Sequence, residues 1–241
     1  MRPDNRATDE LRPVTIERDW VDSATASALI SFGSTRVLCT ASVEENVPRW
    51  MKGSGKGWVS AEYSMLPGSS NERINRERKG AKGRTQEIER LIARSLRAVV
   101  DLETMGEVQV MVDCDVLRAD GGTRIASITG GYVALHDSFS RMVAKGVIGT
   151  RPITDACAAI SVGVIDGEPR LDLPYVEDSI AEVDMNVVKT GDGNYIEVQG
   201  TAEGASFDRS VNDRLLDLAD SGIATLVELQ NEVLATPPAP R

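Results

Sequence analysis

The residues best suited to chemistry begin at Ala119 to Gly131, ADGGTRIASITGG. Gly121 and Gly122 let the backbone approach a ligand with no Cβ in the way, and Thr123 is a good N-cap for the helical pattern that follows. A helix start offers free N–H groups and the positive end of the dipole, both of which favour an anion. Arg124 adds a planar fork matched to phosphate oxygens. Ala126, Ser127, Thr129, Gly130 and Gly131 are small enough to leave room above the helix, or to let it pack closely on a neighbour. On these residues alone, an anion site and a plain capped helix account equally well for the pattern. The stretch lacks the GK[ST] ending of a Walker loop, and GSGKGW at Gly53 does not match the dinucleotide fingerprint.

A second group is YVEDSIAEVDMNVV, where Asp178 and Asp184, with Glu177 and Glu182 beside them, precede an apolar strand pattern. Oxygen ligands of this kind suit Mg²⁺ or Mn²⁺ if the segment makes a short turn; a solvated acidic turn is the alternative. The third group is basic. Arg73, Arg76, Arg78, Lys79, Lys82, Arg84, Arg90, Arg94 and Arg97 stand against only Glu77, Glu87 and Glu89. The chain as a whole carries −10, which argues against a nucleic-acid partner, yet this window is strongly positive and reads as a phosphate or RNA surface. Phosphoryl chemistry on RNA uses all three parts: arginines on oxygens, a metal at the reacting centre and a basic surface for the strand.

These groups need elements to position them. Alternating or apolar runs predict strands at 14–18, 28–32, 37–43, 58–64 and 107–117, then at 158–165, 169–173, 185–189 and 195–198. Residues 65–83 have no apolar face and read as a long loop. Helices are expected over 85–102, 123–145, 207–219 and 223–234. Arg90 and Arg94 form a like-charged pair four apart that something negative should offset. Strands followed by helices, twice, predict an α+β fold of two similar halves around one core, occupying 1–235 as a single domain. The tail 236–241, TPPAPR, cannot continue a helix and is expected to be disordered.

Composition narrows the classes. With 241 residues, 41% of them hydrophobic and 27% charged, the chain reads as a soluble globular protein without a membrane span or signal peptide, and so as cytoplasmic. Cys39, Cys114 and Cys157 lie far apart in apolar runs and read as buried free thiols. The single histidine, His136, lies among Tyr132, Leu135 and Phe139 at helical spacing. It reads as a packed residue, and chemistry that needs two histidines is excluded.

Taken together, RPVTIER, FGSTRVLCTASVEENVPRW, GKGWVSAEYSMLPGS, GRTQEIERLIARSLRAVVDL, DCDVLRADGGTRIASITGG, SVGVIDGE, YVEDSIAEVDMNVV and IEVQGTAEG resemble ribonuclease PH, in family order from residue 1 to about 235. The resemblance implies a ribosomal protein S5 domain 2-like fold and a homohexamer built as a trimer of dimers. It implies a phosphorolytic 3′ to 5′ exoribonuclease, a tRNA nucleotidyltransferase that trims tRNA precursors with inorganic phosphate as co-substrate and has no DNA or membrane partner. Carried over by motif, Arg84, Gly122, Thr123 and Arg124 would hold phosphate. Asp178 and Asp184 would be the catalytic, metal-binding carboxylates, with Mg²⁺ or Mn²⁺ as cofactor. Arg73 and Arg76 would hold RNA. Some members carry another arginine where this chain has Gly68, so that RNA contact is not implied here.

Overall fold

The computed structural model describes residues 2–77, 80–81, 83–204 and 206–241. Arg78, Lys79 and Lys82 of the basic window lie outside the described residues. The first half forms β1 (Val14–Arg18), β2 (Ala26–Phe32), β3 (Thr35–Glu44), β4 (Trp58–Met65), α1 (Gly83–Arg97), α2 (Leu102–Met105), β5 (Gln109–Arg118) and α3 (Thr123–Ala144). The second forms β6 (Cys157–Ile165), β7 (Glu168–Leu171), α4 (Tyr175–Asp178), β8 (Val183–Thr190), β9 (Tyr195–Ala202) and α5 (Arg209–Leu234). The five-stranded sheet has the order β1-β2-β3-β5-β4, with only β4 and β5 parallel; the four-stranded sheet, β7-β6-β8-β9, is antiparallel.

Every residue of β2 and of β6 is buried, and α3 explains why. It packs on β2 and β3 on one side and on β6 on the other, so one continuous apolar cluster runs through both halves. Gly130 makes the approach possible, since a Cβ there would lie 2.7 Å from Ile30 Cγ2. The small residues of ASITGG therefore serve close packing and leave no room above the helix: Ala126, Ser127, Thr129, Gly130 and Gly131 are all buried. Cys39 and Cys114 face each other across β3 and β5 and, like Cys157, are buried and free. His136 is partly buried on α3, with Nε2 2.6 Å from Arg151 Nη1.

Two expectations need correction. The two C-terminal helices are one: α5 runs through Gly222, where a Cβ would stand 2.8 Å from Leu171 Cδ1, so the helix comes close to β7 there. The helix expected to reach residue 102 stops at Arg97, and Asp101 caps the separate α2 by accepting from the Glu103 and Thr104 amides. The proline-rich tail leaves the helix as expected and lies against the first half of the chain. Arg141 Nε donates to Ala239 O at 3.0 Å, and Arg241 Nη1 donates to Val21 O at 2.7 Å and Ala24 O at 2.9 Å. Among the described residues, no helix is long and apolar enough to cross a membrane.

Candidate active site

The α3 mouth is set by a turn of two left-handed glycines, Gly121 at φ 74° and Gly122 at φ 70°. Gly122, not Thr123, occupies the cap position, and no side chain caps the helix, so the first-turn N–H groups keep no side-chain acceptor. Thr35 Oγ1 fixes the turn, donating to Gly121 O at 2.7 Å and accepting from Asp120 N at 2.9 Å. Gly121 has a second reason to lack a side chain: a Cβ would stand 2.4 Å from Leu173 O and 2.8 Å from Pro174 C. The chain leading into α4 thus rests directly on the glycine turn, which brings the two motif regions of the sequence to one place.

Freed from capping, Thr123 points its hydroxyl to Tyr63, sharing a hydrogen bond of 2.8 Å. Arg124 Nη1 donates to Gln199 Oε1 of β9 at 2.9 Å and to Glu87 Oε1 of α1 at 3.3 Å. That holds one side of its fork and leaves Nε and Nη2 without protein partners among the described hydrogen bonds. Arg84 comes from the first turn of α1. A cleft of about 790 Å³ is lined by Arg73, Arg84, Gly122, Thr123, Arg124, Asp178 and Asp184, so most of the expected site residues converge. Arg76 does not line it. It lines a neighbouring cavity of about 900 Å³ that shares Arg84 and Ile74 with the cleft.

The acidic group divides. Glu177 turns inward to Arg2 and Arg170, and Glu182 accepts from the Gly167 amide at 2.9 Å, which leaves Asp178 and Asp184 facing the cleft. Burial raises the Asp178 pKa, an effect opposed by the charges of Arg84, Arg124 and Arg12. Asp184 is pushed up to about 6, chiefly by burial and then by the charge of Asp178, with Arg124 and Arg84 pulling the other way. Its Oδ1 is buried and has no hydrogen-bond partner among the described residues. An unpaired buried carboxylate oxygen beside a second carboxylate is a donor set suited to a hard divalent cation, which needs few protein ligands.

Residues 10–140 match the 3′ exoribonuclease family, domain 1, and residues 155–222 match domain 2 of that family. The chain belongs to the 3′ exoribonuclease family. A ribonuclease PH of Methylorubrum populi is 56% identical over 237 residues, 98% of this chain and 100% of that one. Among solved structures, the Archaeoglobus fulgidus exosome with RNA bound to the active site superposes with a TM-score of 0.80 at 22% identity, covering 94% of this chain and 91% of that chain. Rice Rrp46 superposes with a TM-score of 0.75 at 19% identity, covering 98% and 99%. These two structures establish the 3′ exoribonuclease, ribonuclease PH-type fold and nothing finer.

Sequence reasoning about this exoribonuclease missed Tyr63, Glu87 and Gln199. Each sits in a quoted motif, but each acts only through a partner at least 37 residues away in sequence. The regular alternation of β4 and β9 gives no hint of which polar residue will have such a partner. The like-charged Arg90 and Arg94 pair does find its compensation, in an ion pair of Arg94 with Glu197.

Proposed function

We propose that this cleft performs phosphorolysis of RNA 3′ ends: inorganic phosphate attacks the last phosphodiester and a nucleoside diphosphate leaves. Phosphate is seated between Arg84 and the N–H groups, hydroxyl and guanidinium of Gly122, Thr123 and Arg124. One phosphate oxygen bonds to the phosphorus of the terminal linkage while the bond to the penultimate 3′ oxygen breaks. That oxygen takes up the proton of the attacking hydrogen phosphate, so the chain needs no histidine base, in keeping with His136 lying on α3 with Arg151 as its neighbour. The arginines offset the negative charge of two phosphates brought together. Asp178 and Asp184 are the residues that would hold Mg²⁺ or Mn²⁺, which supplies charge stabilisation at the scissile phosphate when bound. Arg73 at the cleft, and Arg76 beside it, hold the RNA strand.

The convergence of the uncapped α3 start and Arg84 with two half-buried carboxylates in one cleft carries this reading. Resemblance to ribonuclease PH supports tRNA precursors as substrates, a homohexamer built as a trimer of dimers and a cytoplasmic setting. It also supports residues 1–235 working as a single unit. Incubating the protein with a 3′-extended tRNA, with and without phosphate, tests the reaction. Nucleoside diphosphates that form only with phosphate are expected. Monophosphates would mean hydrolysis, and no product would mean an inactive RNA-binding subunit.

A further inference from the structure

α4 has four residues and no side-chain cap, and Glu177 is its only buried residue. A helix this short is not stable by propensity, so its orientation comes from what its one buried side chain binds. Glu177 is 1% exposed and is held by two arginines. Arg2 Nε donates to Oε1 at 3.1 Å and Arg2 Nη2 to Oε2 at 2.7 Å, while Arg170 Nη1 donates to Oε1 at 2.8 Å. Arg2 is itself 3% exposed and ties the turn to its surroundings: Nη2 also reaches Asp172 O at 2.8 Å, and Nη1 reaches Ala7 O at 3.1 Å and Glu10 O at 3.3 Å. Farther along the same arm, Arg12 binds Asp172 Oδ1 at 2.6 Å and Asp120 O at 2.5 Å, so the arm reaches the glycine turn as well.

Asp178 directly follows Glu177, so the guanidinium of Arg2 stands behind the cleft and sets the direction in which that carboxylate faces it. We propose that Arg2 is a positioning residue for Asp178, acting through Glu177, and that the arm of residues 2–12 is thereby a built-in part of the carboxylate site. Without Arg2, Arg170 still holds Oε1, but Oε2 loses its partner in a buried setting, and the turn shifts to hydrate it.

This inference rests on the reading that Asp178 and Asp184 hold a divalent cation. The test is a Mn²⁺ titration of the full-length protein without RNA, followed by the electron paramagnetic resonance signal of free Mn²⁺, on wild type, Arg2→Met, Arg2→Lys and Asp178→Asn. Arg2→Met is expected to weaken Mn²⁺ binding about tenfold, the lower end of the effect of losing a residue that orients a metal ligand. The Mg²⁺ needed for half-maximal phosphorolysis should rise by a similar factor while KM for phosphate stays put. Arg2→Lys keeps the charge but not the fork, and a shift of about threefold is expected. Mn²⁺ affinity at the wild-type level in both Arg2 variants overturns the proposal, whatever happens to their melting temperatures. If circular dichroism shows Arg2→Met unfolded, Arg2→Lys alone decides. Wild-type binding by Asp178→Asn would overturn the metal reading and this inference with it; loss in Asp178→Asn with none in the Arg2 variants would overturn only the role of Arg2.

Discussion

On one wall of the cleft the functional groups sit at the start of α3, a helix of 22 residues; on the other they sit on α4, of four residues, and on β8. On the proposed function, the α3 wall draws its preference for an anion from the backbone itself: free N–H groups, a dipole and two glycines that no side chain obstructs. The α4 wall owes its character to tertiary burial. Asp178 and Asp184 are acidic groups held in a place that disfavours their charge, and the turn that carries Asp178 is held by ion pairs of Glu177 with Arg2, from the far end of the chain, and with Arg170. On the proposed function, a site for a reactant anion is written locally, whereas a site for a cation depends on a scaffold that spans the molecule.

Substitutions that separate the walls show the difference, the largest effect being expected at Asp184. Asp184→Asn should lower phosphorolysis by about 10³-fold, the scale of losing one preorganised electrostatic group at a reacting centre. Its effect on stability should have the opposite sign. The Asp184 pKa is raised from 3.8 to about 6, so its contribution to stability is complete below about 4 and is lost as pH rises through about 6. At neutral pH without metal the charged group is a burden. Asp184→Asn should melt at the same or a higher temperature at pH 7.5, and should lose part of the stability change between about pH 4 and 7, read by thermal melts across that range. A variant that is inactive and less stable at pH 7.5 would place Asp184 in the scaffold and not among the reacting groups.

Arg124→Ala strikes the other wall. Two charge-assisted hydrogen bonds at about 1.5 kcal/mol each correspond to about a 100-fold loss in kcat/KM for phosphate. RNA affinity, measured by filter binding without phosphate, should change little, and Mn²⁺ affinity should not fall. Undiminished phosphorolysis would remove Arg124 from the phosphate site. Gly121→Ala should instead hurt both walls at once, because Gly121 belongs to the α3 turn and touches the chain entering α4. Left-handed backbone alone costs about 1–2 kcal/mol for a residue with a Cβ, visible as a lower melting temperature. Displacement of Leu173 and Pro174 should add about a tenfold rise in both the phosphate KM and the Mg²⁺ requirement, the size of a modest misplacement of reacting groups. If only the phosphate KM moved, the walls would not be joined at this residue.

The asymmetry of the walls also explains what could be read from the sequence. The glycine turn, Arg124 and the pattern of α3 lie within one continuous stretch, and the predicted helix, 123–145, differs from the observed Thr123–Ala144 by one residue. β1 matches its predicted bounds, and the other predicted strands are present with edges moved by a few residues. The errors share a physical cause, a long-range contact that overrides a local signal. Asp220-Ser221-Gly222 looks like a helix break and is instead the place where α5 approaches Leu171. Thr123 looks like a cap and is instead the partner of Tyr63. Glu177 looks like one more carboxylate of the acidic group, but its side chain turns to Arg2, 175 residues away in sequence. On the acidic side only the two aspartates were legible; their support was not.

The mildest variant, Tyr63→Phe, examines how far the α3 wall depends on tertiary support of its own. The backbone donors sit on a turn that Thr35 holds, and the Thr123 hydroxyl is held by a single hydrogen bond shared with a buried tyrosine on β4. Removing the phenol oxygen deletes that bond and leaves the ring packed. The Thr123 hydroxyl, at the edge of a wet cleft, can take a water partner, so the loss should be about 1 kcal/mol and the phosphate KM should rise about fivefold, with kcat, Mg²⁺ requirement and RNA affinity unchanged. A KM unaltered by Tyr63→Phe would mean that the helix start orients Thr123 unaided, making the α3 wall local in origin down to its side chains. A rise well above tenfold would mean that this wall, too, relies on distant parts of the chain.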